Sequence, residues 1–207
     1  MTRSLVPRIE QVDVERSVQI RVAEALAADI IDALRRRKET LALCESLTAG
    51  LATATIASVP GASDVLRGGL VTYATDLKES LAGVPEEVLD LHGPIHSATA
   101  RHMARGARTA CGADWGVGLT GVAGPDSQDD HPVGEVYVGV SGPRRTAATR
   151  AAGILALDYP NAVRYSLVPW SATPQRVVAG NRQQIRENAV LAAMFALRYE
   201  IEGVSRR

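Results

Sequence analysis

Three short stretches carry hydroxyls, an amine and small residues at spacings that suit acyl-transfer chemistry. The first is Glu45-Ser46-Leu47-Thr48-Ala49-Gly50, between an apolar run at 40–44 and a stretch of helical composition at 47–58. A serine where a strand turns into a helix can be a nucleophile. Its oxyanion would meet the N–H groups that the first helical turn leaves without partners. Those groups also suit a bound anion such as a phosphate, while the plainest use of Ser46 or Thr48 is to cap the helix. The second stretch, Thr72-Tyr73-Ala74-Thr75-Asp76-Leu77-Lys78, adds a phenol and an amine after another apolar run. Taken singly, Tyr73 reads as an aromatic plug and Lys78 as a solvated helix residue. The third, Gly121-Val122-Ala123-Gly124-Pro125-Asp126, lets backbone approach a ligand closely or simply makes a tight turn. Loops at the carboxyl ends of strands are where open α/β sheets bind ligands.

The lysine has a context of its own. Of 23 basic residues only Lys38 and Lys78 are lysines, the rest being arginines. An arginine cannot be deprotonated at working pH, so a lysine kept against that bias invites a search for chemistry that needs an amine. Familiar signatures do not account for these stretches. There is no phosphate-binding Walker run, no dinucleotide fingerprint and no Gly-x-Ser-x-Gly elbow, and position 49 is Ala where a Ser-x-x-Lys pair would need lysine. His92 and His96 are four apart, but Gly93-Pro94 between them breaks any helix that would put them on one face, and His102 and His131 have no spaced partner. No metal site is expected. Cys44 and Cys111 are single and distant, which suits buried thiols and neither a disulfide framework nor a zinc site.

The elements that position these residues follow from periodicity and turn signals. A long helix starts near Val18, with Val22, Ala25, Leu26, Ile30, Ile31 and Leu34 on one face. Arg35-Arg36-Arg37-Lys38 closes it, where the helix dipole favours cations. Strands are expected at 40–44, 69–74, 115–120 and 134–141, and helices at 47–58, from Asp76, from Pro85 to His92, from a Ser97 cap to Cys111, and at 183–199. Residues 1–16 read as an extension and 17–207 as one domain, within which 143–173, with three prolines, resists assignment and reads as an insertion or an extra hairpin. Strands alternating with helices give an α/β class with the sheet covered on both faces.

Composition narrows function. The chain has 207 residues, 23 basic and 23 acidic, and no net charge, so it lacks the electrostatic footprint of a nucleic-acid binder. No apolar stretch is long enough to span a membrane, and Met1 to Val18 carries charges throughout with no apolar signal core. The expectation is a cytoplasmic protein with neither nucleic acid nor membrane as partner.

In order along the chain stand Glu45-Ser46-x-Thr48-x-Gly50, Gly69-x-Val71-x-Tyr73 through Lys78, Gly121 to Asp126, Pro132-Val133-Gly134 and Gly180-Asn181-Arg182. No single motif is specific, but the ordered set resembles the CinA C-terminal-domain family over roughly 20–142 and again at about 175–200. Stand-alone members of that family include bacterial nicotinamide-nucleotide amidases. The resemblance implies a three-layer α/β/α fold with a central mixed sheet and a homodimer. It implies hydrolysis of the carboxamide of nicotinamide mononucleotide to nicotinic acid mononucleotide and ammonia, with no metal or cofactor. By the same resemblance Ser46 is the nucleophile and Tyr73 and Lys78 are its proton-handling partners. Thr48, Ala49 and Gly50, Thr75, the loop residues Gly121, Ala123 and Gly124, and Arg182 would hold the nucleotide. This chain departs from the family in having Ala49 for a glycine, Thr75 for an asparagine and Asn181 for an aspartate. Those departures motivate a second reading, a catalytically silent nucleotide-binding or regulatory protein.

Overall fold

Every residue of strand β1 (Leu41–Glu45) is buried, the pattern of a central strand covered on both faces. In this computed structural model, which describes residues 17–168 and 171–203, β1 lies between two parallel neighbours, β2 (Leu66–Val71) and β3 (Trp115–Gly121). β3 then pairs antiparallel with β4 (Val136–Ser141), and β4 with β5 (Thr146–Arg150). The result is a mixed five-stranded sheet of order β2-β1-β3-β4-β5. A separate antiparallel pair, β6 (Val163–Val168) and β7 (Ser171–Val178), stands beside it.

Alternation along β1 sends its side chains to two cores. Leu41 and Leu43 join Ile30, Leu34, Leu191 and Met194, which belong to helices α1 (Val18–Arg37) and α7 (Arg182–Glu202). Helices α2 (Leu51–Ala57) and α6 (Ala151–Asp158) add to that layer. Ala42 and Cys44 face the other way, against Met103 and Ala107 of α5 (Ser97–Ala110). The short helices α3 (Thr75–Ser80) and α4 (Glu86–His92) precede α5. The architecture is α/β, with a mixed sheet between helical layers. Among the described residues no helix is long and apolar enough to cross a membrane.

The α5 layer sits unusually close to the sheet because the strand residues beneath it have no side chains. A Cβ added to Gly116 or Gly118 of β3, or to Gly139 of β4, would run into the backbone of α5 at Ala100 or Ala104. That close approach is what β3 and β4 need glycine for.

Most expected elements lie within a few residues of the observed ones, and the differences have local causes. β2 begins at Leu66 and ends at Val71, three residues earlier than expected at both ends. It is an edge strand whose side chains alternate between half-buried and exposed, so Leu66-Arg67-Gly68 does not look apolar. Ser97 is the first residue of α5, and its cap is His96, whose Nδ1 accepts from the Ala98 N–H at 3.2 Å. Residues 143–168 are structured: they form β5, α6, a single turn of 3-10 helix at Pro160–Ala162 and strand β6. A hairpin is present, but it pairs 163–168 with 171–178 and so runs past the unassigned stretch. Residues 1–16, read as an extension, lie outside the described residues.

Two glycine substitutions test the packing. Gly118→Ala is expected to cost about 2–3 kcal/mol, the usual penalty for forcing a methyl group into a filled space. Gly153→Ala, inside α6 with nothing within 4 Å of the added methyl, is expected to add about 0.5–1 kcal/mol through helix propensity. Denaturant unfolding of the two variants reads both.

Candidate active site

Because β1, β2 and β3 run parallel, their carboxyl ends open on the same side of the sheet. Ser46 and Thr72 continue the ladder one step past the strands: the Ser46 N–H donates to Leu119 O, and the Thr72 N–H to Glu45 O, both at 2.9 Å. The serine is therefore placed by backbone hydrogen bonds before any side chain acts. Helix α3 starts straight after this point, and its Lys78 folds back beneath the strand ends. Lys78 Nζ lies 3.2 Å from Ser46 Oγ and donates to Thr72 O at 2.9 Å, with longer contacts to the carbonyls of Tyr73 (3.4 Å) and Ala74 (3.5 Å).

The lysine is 1% exposed and the serine 9%. No carboxylate pairs with Lys78 among the described residues. Burial pushes its amine below the ordinary lysine range, against smaller opposing effects of Cys44 and Asp76. Burial also pushes the Cys44 thiol up to about 11. Near neutrality Cys44 is thus an uncharged thiol, in contact with the Thr72 hydroxyl at 3.3 Å. A lysine surrounded by neutral acceptors and held against a serine hydroxyl is poised to lose its own proton and take another.

Ser46, Tyr73, Thr75 and Lys78 line an open cleft together with Gly121, Ala123 and Gly124 of the loop after β3, and with Arg182 at the start of α7. Tyr73 is 56% exposed. Its phenol accepts from Arg182 Nη2 at 2.8 Å and makes no hydrogen bond to Ser46 or Lys78. Arg182 Nη1 donates to Gly124 O, so this one guanidinium ties the phenol to the glycine loop. Ala123 and Gly124 line the cleft, and their N–H groups have no acceptor among the described residues.

Three expected contacts are not in the cleft wall. Thr48, Ala49 and Gly50 lie off it. Thr48 is fully buried, with a hydroxyl that has no hydrogen-bond partner among the described residues. In that turn the Ala49 N–H is taken by Ser46 O. The buried carboxylate of Glu45 accepts from the N–H groups of Gly50 (3.0 Å), Ala52 (3.0 Å) and Thr53 (2.7 Å), and from the Thr53 hydroxyl (2.6 Å). A carboxylate already occupies the start of α2, where a phosphate was expected. Ala49 adopts φ 49°, a left-handed conformation that glycine reaches more cheaply. The aspartate-to-asparagine departure costs nothing structurally, since Asn181 caps α7 in a capping box with Gln184 and asparagine caps as well as aspartate.

Residue types alone did not reveal three further groups. Glu45 stood in the motif without a role, although an acid just ahead of a helix start is a capping signal. Arg186 donates to the carbonyls of Leu47 and Thr48; its position four residues after Arg182, on the same helix face, was the available hint. Glu135 is buried and accepts from the Tyr137 hydroxyl at 2.6 Å. It also lies 3.0 Å from His131 Nδ1 and 3.2 Å from Arg150, bracing the base of the glycine loop. His92 and His96 do meet, with rings stacked 4.4 Å apart, because a turn and not a helix joins them. Among the described residues no group of side chains is arranged to hold a metal ion.

The model of the CinA C-terminal domain matches residues 23–154. A CinA-like protein of Frankia casuarinae is 41% identical over 157 residues, covering 76% of this chain and 36% of that protein. A putative competence-damage inducible protein of Streptococcus pneumoniae is 44% identical over 117 residues, 56% of this chain and 28% of that one. The chain thus spans about a third of the length of these curated relatives. Among solved structures, the competence damage-inducible protein A of Klebsiella pneumoniae has a TM-score of 0.72 at 23% identity, over 88% of this chain and 99% of that one. A competence/damage inducible protein of Agrobacterium tumefaciens gives 0.67 at 27% identity, over 86% and 96%. The fold is shared with these two solved structures.

The buried amine has a consequence for stability. An unfolded lysine keeps its proton to about pH 10.4, whereas the folded Lys78 releases it at lower pH. Between those two points the unfolded state holds more protons, so raising the pH favours the folded state. Denaturant unfolding from pH 7 to 10 is expected to show the wild type gaining stability relative to Lys78→Met. A difference that stays flat or falls with pH contradicts a lowered amine.

Proposed function

Because the chain belongs to the family of the CinA C-terminal domain, and its fold holds a serine against a buried lysine, we propose that it is a serine amidohydrolase acting on the carboxamide of nicotinamide mononucleotide. The contact between Lys78 Nζ and Ser46 Oγ carries this reading. In its neutral form Lys78 takes the proton of Ser46 as Oγ attacks the carboxamide carbon. The negative charge on the carbonyl oxygen is met by backbone N–H groups of the turn that follows Ser46. As the C–N bond breaks, Lys78 passes its proton to the departing amine, which leaves as ammonia. Water then attacks the ester on Ser46, giving its proton to Lys78. The ester bond breaks, Oγ regains the proton, and nicotinic acid mononucleotide departs. No step calls for a metal ion or an organic cofactor.

The geometry favours Lys78 over Tyr73 as the base. The lysine touches the serine, while the phenol is held by Arg182 and has solvent access. Tyr73 is better placed to contact the substrate. The phosphate of the nucleotide falls to the side of the cleft lined by Ala123, Gly124 and Arg182, where backbone N–H groups and a guanidinium can meet it. This replaces the turn at 48–50, where Ser46 O takes the Ala49 N–H and Glu45 that of Gly50. Within this reading the protein works in the cytoplasm on a small nucleotide, as a homodimer by analogy with the family.

Ammonia release from nicotinamide mononucleotide tests the reading. The wild type is expected to turn over, Ser46→Ala to be inactive, and Lys78→Arg to lose at least about a hundred-fold in kcat because a guanidinium cannot act as a base. Nucleotide binding without turnover in the wild type would instead assign the chain to the silent, nucleotide-binding alternative. A fully active Lys78→Arg would remove Lys78 from the base role.

A further inference from the structure

Tyr73 and Arg182 both line the cleft, and the direction of the hydrogen bond between them decides what the phenol can do next. Arg182 Nη2 donates to the Tyr73 oxygen at 2.8 Å. A guanidinium has no acceptor, so the phenol accepts in this bond and its own O–H proton points elsewhere. That proton has no acceptor among the described residues, and the tyrosine is 56% exposed. Receiving a bond from a cation also strengthens the O–H as a donor in its turn. The guanidinium is fixed from its other end, since Nη1 donates to Gly124 O, and these two bonds leave further N–H groups of Arg182 unspent.

Burial orders what can sit where. Ser46 and Lys78 are buried at the inner end of the cleft, while Tyr73 and Arg182 are exposed at its rim. In a mononucleotide the ribose separates the base from the phosphate. A carboxamide placed on Ser46 Oγ therefore sends the phosphate outward, toward the rim. An ionised phosphate brings strong acceptor oxygens, and the phenol O–H and the spare N–H groups of Arg182 stand side by side there as donors. We propose that Tyr73 donates a hydrogen bond to a phosphate oxygen of the bound nucleotide, in the orientation Arg182 imposes, and so makes the site prefer a phosphorylated substrate to its nucleoside. This role rests on the amidohydrolase reading of the cleft. It makes Tyr73 a specificity-determining residue and leaves the serine proton to Lys78, which touches Ser46 directly.

The two assignments of Tyr73 separate on a pair of substrates. Nicotinamide mononucleotide and nicotinamide riboside carry the same carboxamide and differ by the phosphate. A tyrosine that moves protons in the reaction loses the same factor on both when it becomes phenylalanine, whereas one that binds phosphate loses it on the nucleotide. The experiment measures kcat and KM for ammonia release from both compounds with wild type and Tyr73→Phe. Calorimetry on Ser46→Ala, with and without Tyr73→Phe, gives the dissociation constants where no chemistry takes place. Wild type is expected to favour the nucleotide. Tyr73→Phe is expected to shrink that preference in kcat/KM by about ten- to a hundred-fold, the factor that a hydrogen bond to a charged group carries. The loss should lie mainly in KM and recur in the dissociation constants.

An equal loss on nucleotide and riboside, or an unchanged preference in Tyr73→Phe, overturns the phosphate role and leaves the amidohydrolase reading intact. If the riboside turns over too slowly to measure, the dissociation constants decide by the same rule. A wild type that releases no ammonia, while Ser46→Ala binds the nucleotide more tightly than the riboside and Tyr73→Phe narrows the gap, supports the role and overturns only the hydrolysis. A protein that binds neither compound overturns the reading and the role together.

Discussion

An amine buried with no counter-ion among the described residues is the constraint on which the rest of this site depends. Lys78 is almost fully enclosed, and its partners are a serine hydroxyl and backbone carbonyls. Charge is costly in such a place, so the same burial that destabilises the ammonium form readies the amine to accept a proton. The groups that hydrogen-bond its amine are uncharged. The closest thiol, Cys44, is held uncharged by its own burial. The one carboxylate that ends β1, Glu45, faces the start of α2 and satisfies its N–H groups. Had Glu45 turned toward Lys78, an ion pair would have fixed the lysine in its charged form.

The sheet supplies the precision. Parallel pairing of β1 with both β2 and β3 fixes where Ser46 and Thr72 emerge, and each takes one more ladder hydrogen bond past the strand end. The glycines of β3 and β4 let α5 settle close on the opposite face, and the core of α1 and α7 closes the other. From α7 come two arginines, four residues apart, with separate tasks. Arg182 spans the mouth of the cleft from Gly124 to Tyr73, and Arg186 holds the carbonyls of the serine turn. A helix distant in sequence thus braces two loops that bear the chemistry.

Much of this was legible in the residues, for identifiable reasons. β1 and β3 are short apolar runs bounded by turn signals, and Ser46, Tyr73 and Lys78 were all placed at strand ends or just beyond. The pairing of Ser46 with Lys78 follows from the resemblance and not from periodicity, because it depends on α3 folding back under β1, a tertiary fact that periodicity does not encode. The turn at 48–50 reads as an anion site because helix N-termini are generic anion binders; the acceptor that meets its Gly50 N–H, Glu45, lies five residues earlier and looks like an ordinary strand residue. Arg186 was hidden by its surroundings, one arginine in a chain where nearly every cation is an arginine. The stretch after residue 143 resisted assignment because its prolines interrupt every period, while its strands gain their order from β4 and from each other.

Only two lysines occur in the chain, so a lysine-selective NMR titration of the side-chain resonances gives two signals, with Lys78 assigned by its loss in Lys78→Met. The Lys78 signal is expected to titrate clearly below the ordinary lysine value of about 10.4, in the folded protein and without substrate. A Lys78 midpoint at or above that value would mean an ammonium stabilised in place, and would contradict the claim that the fold buries this amine to make it a base.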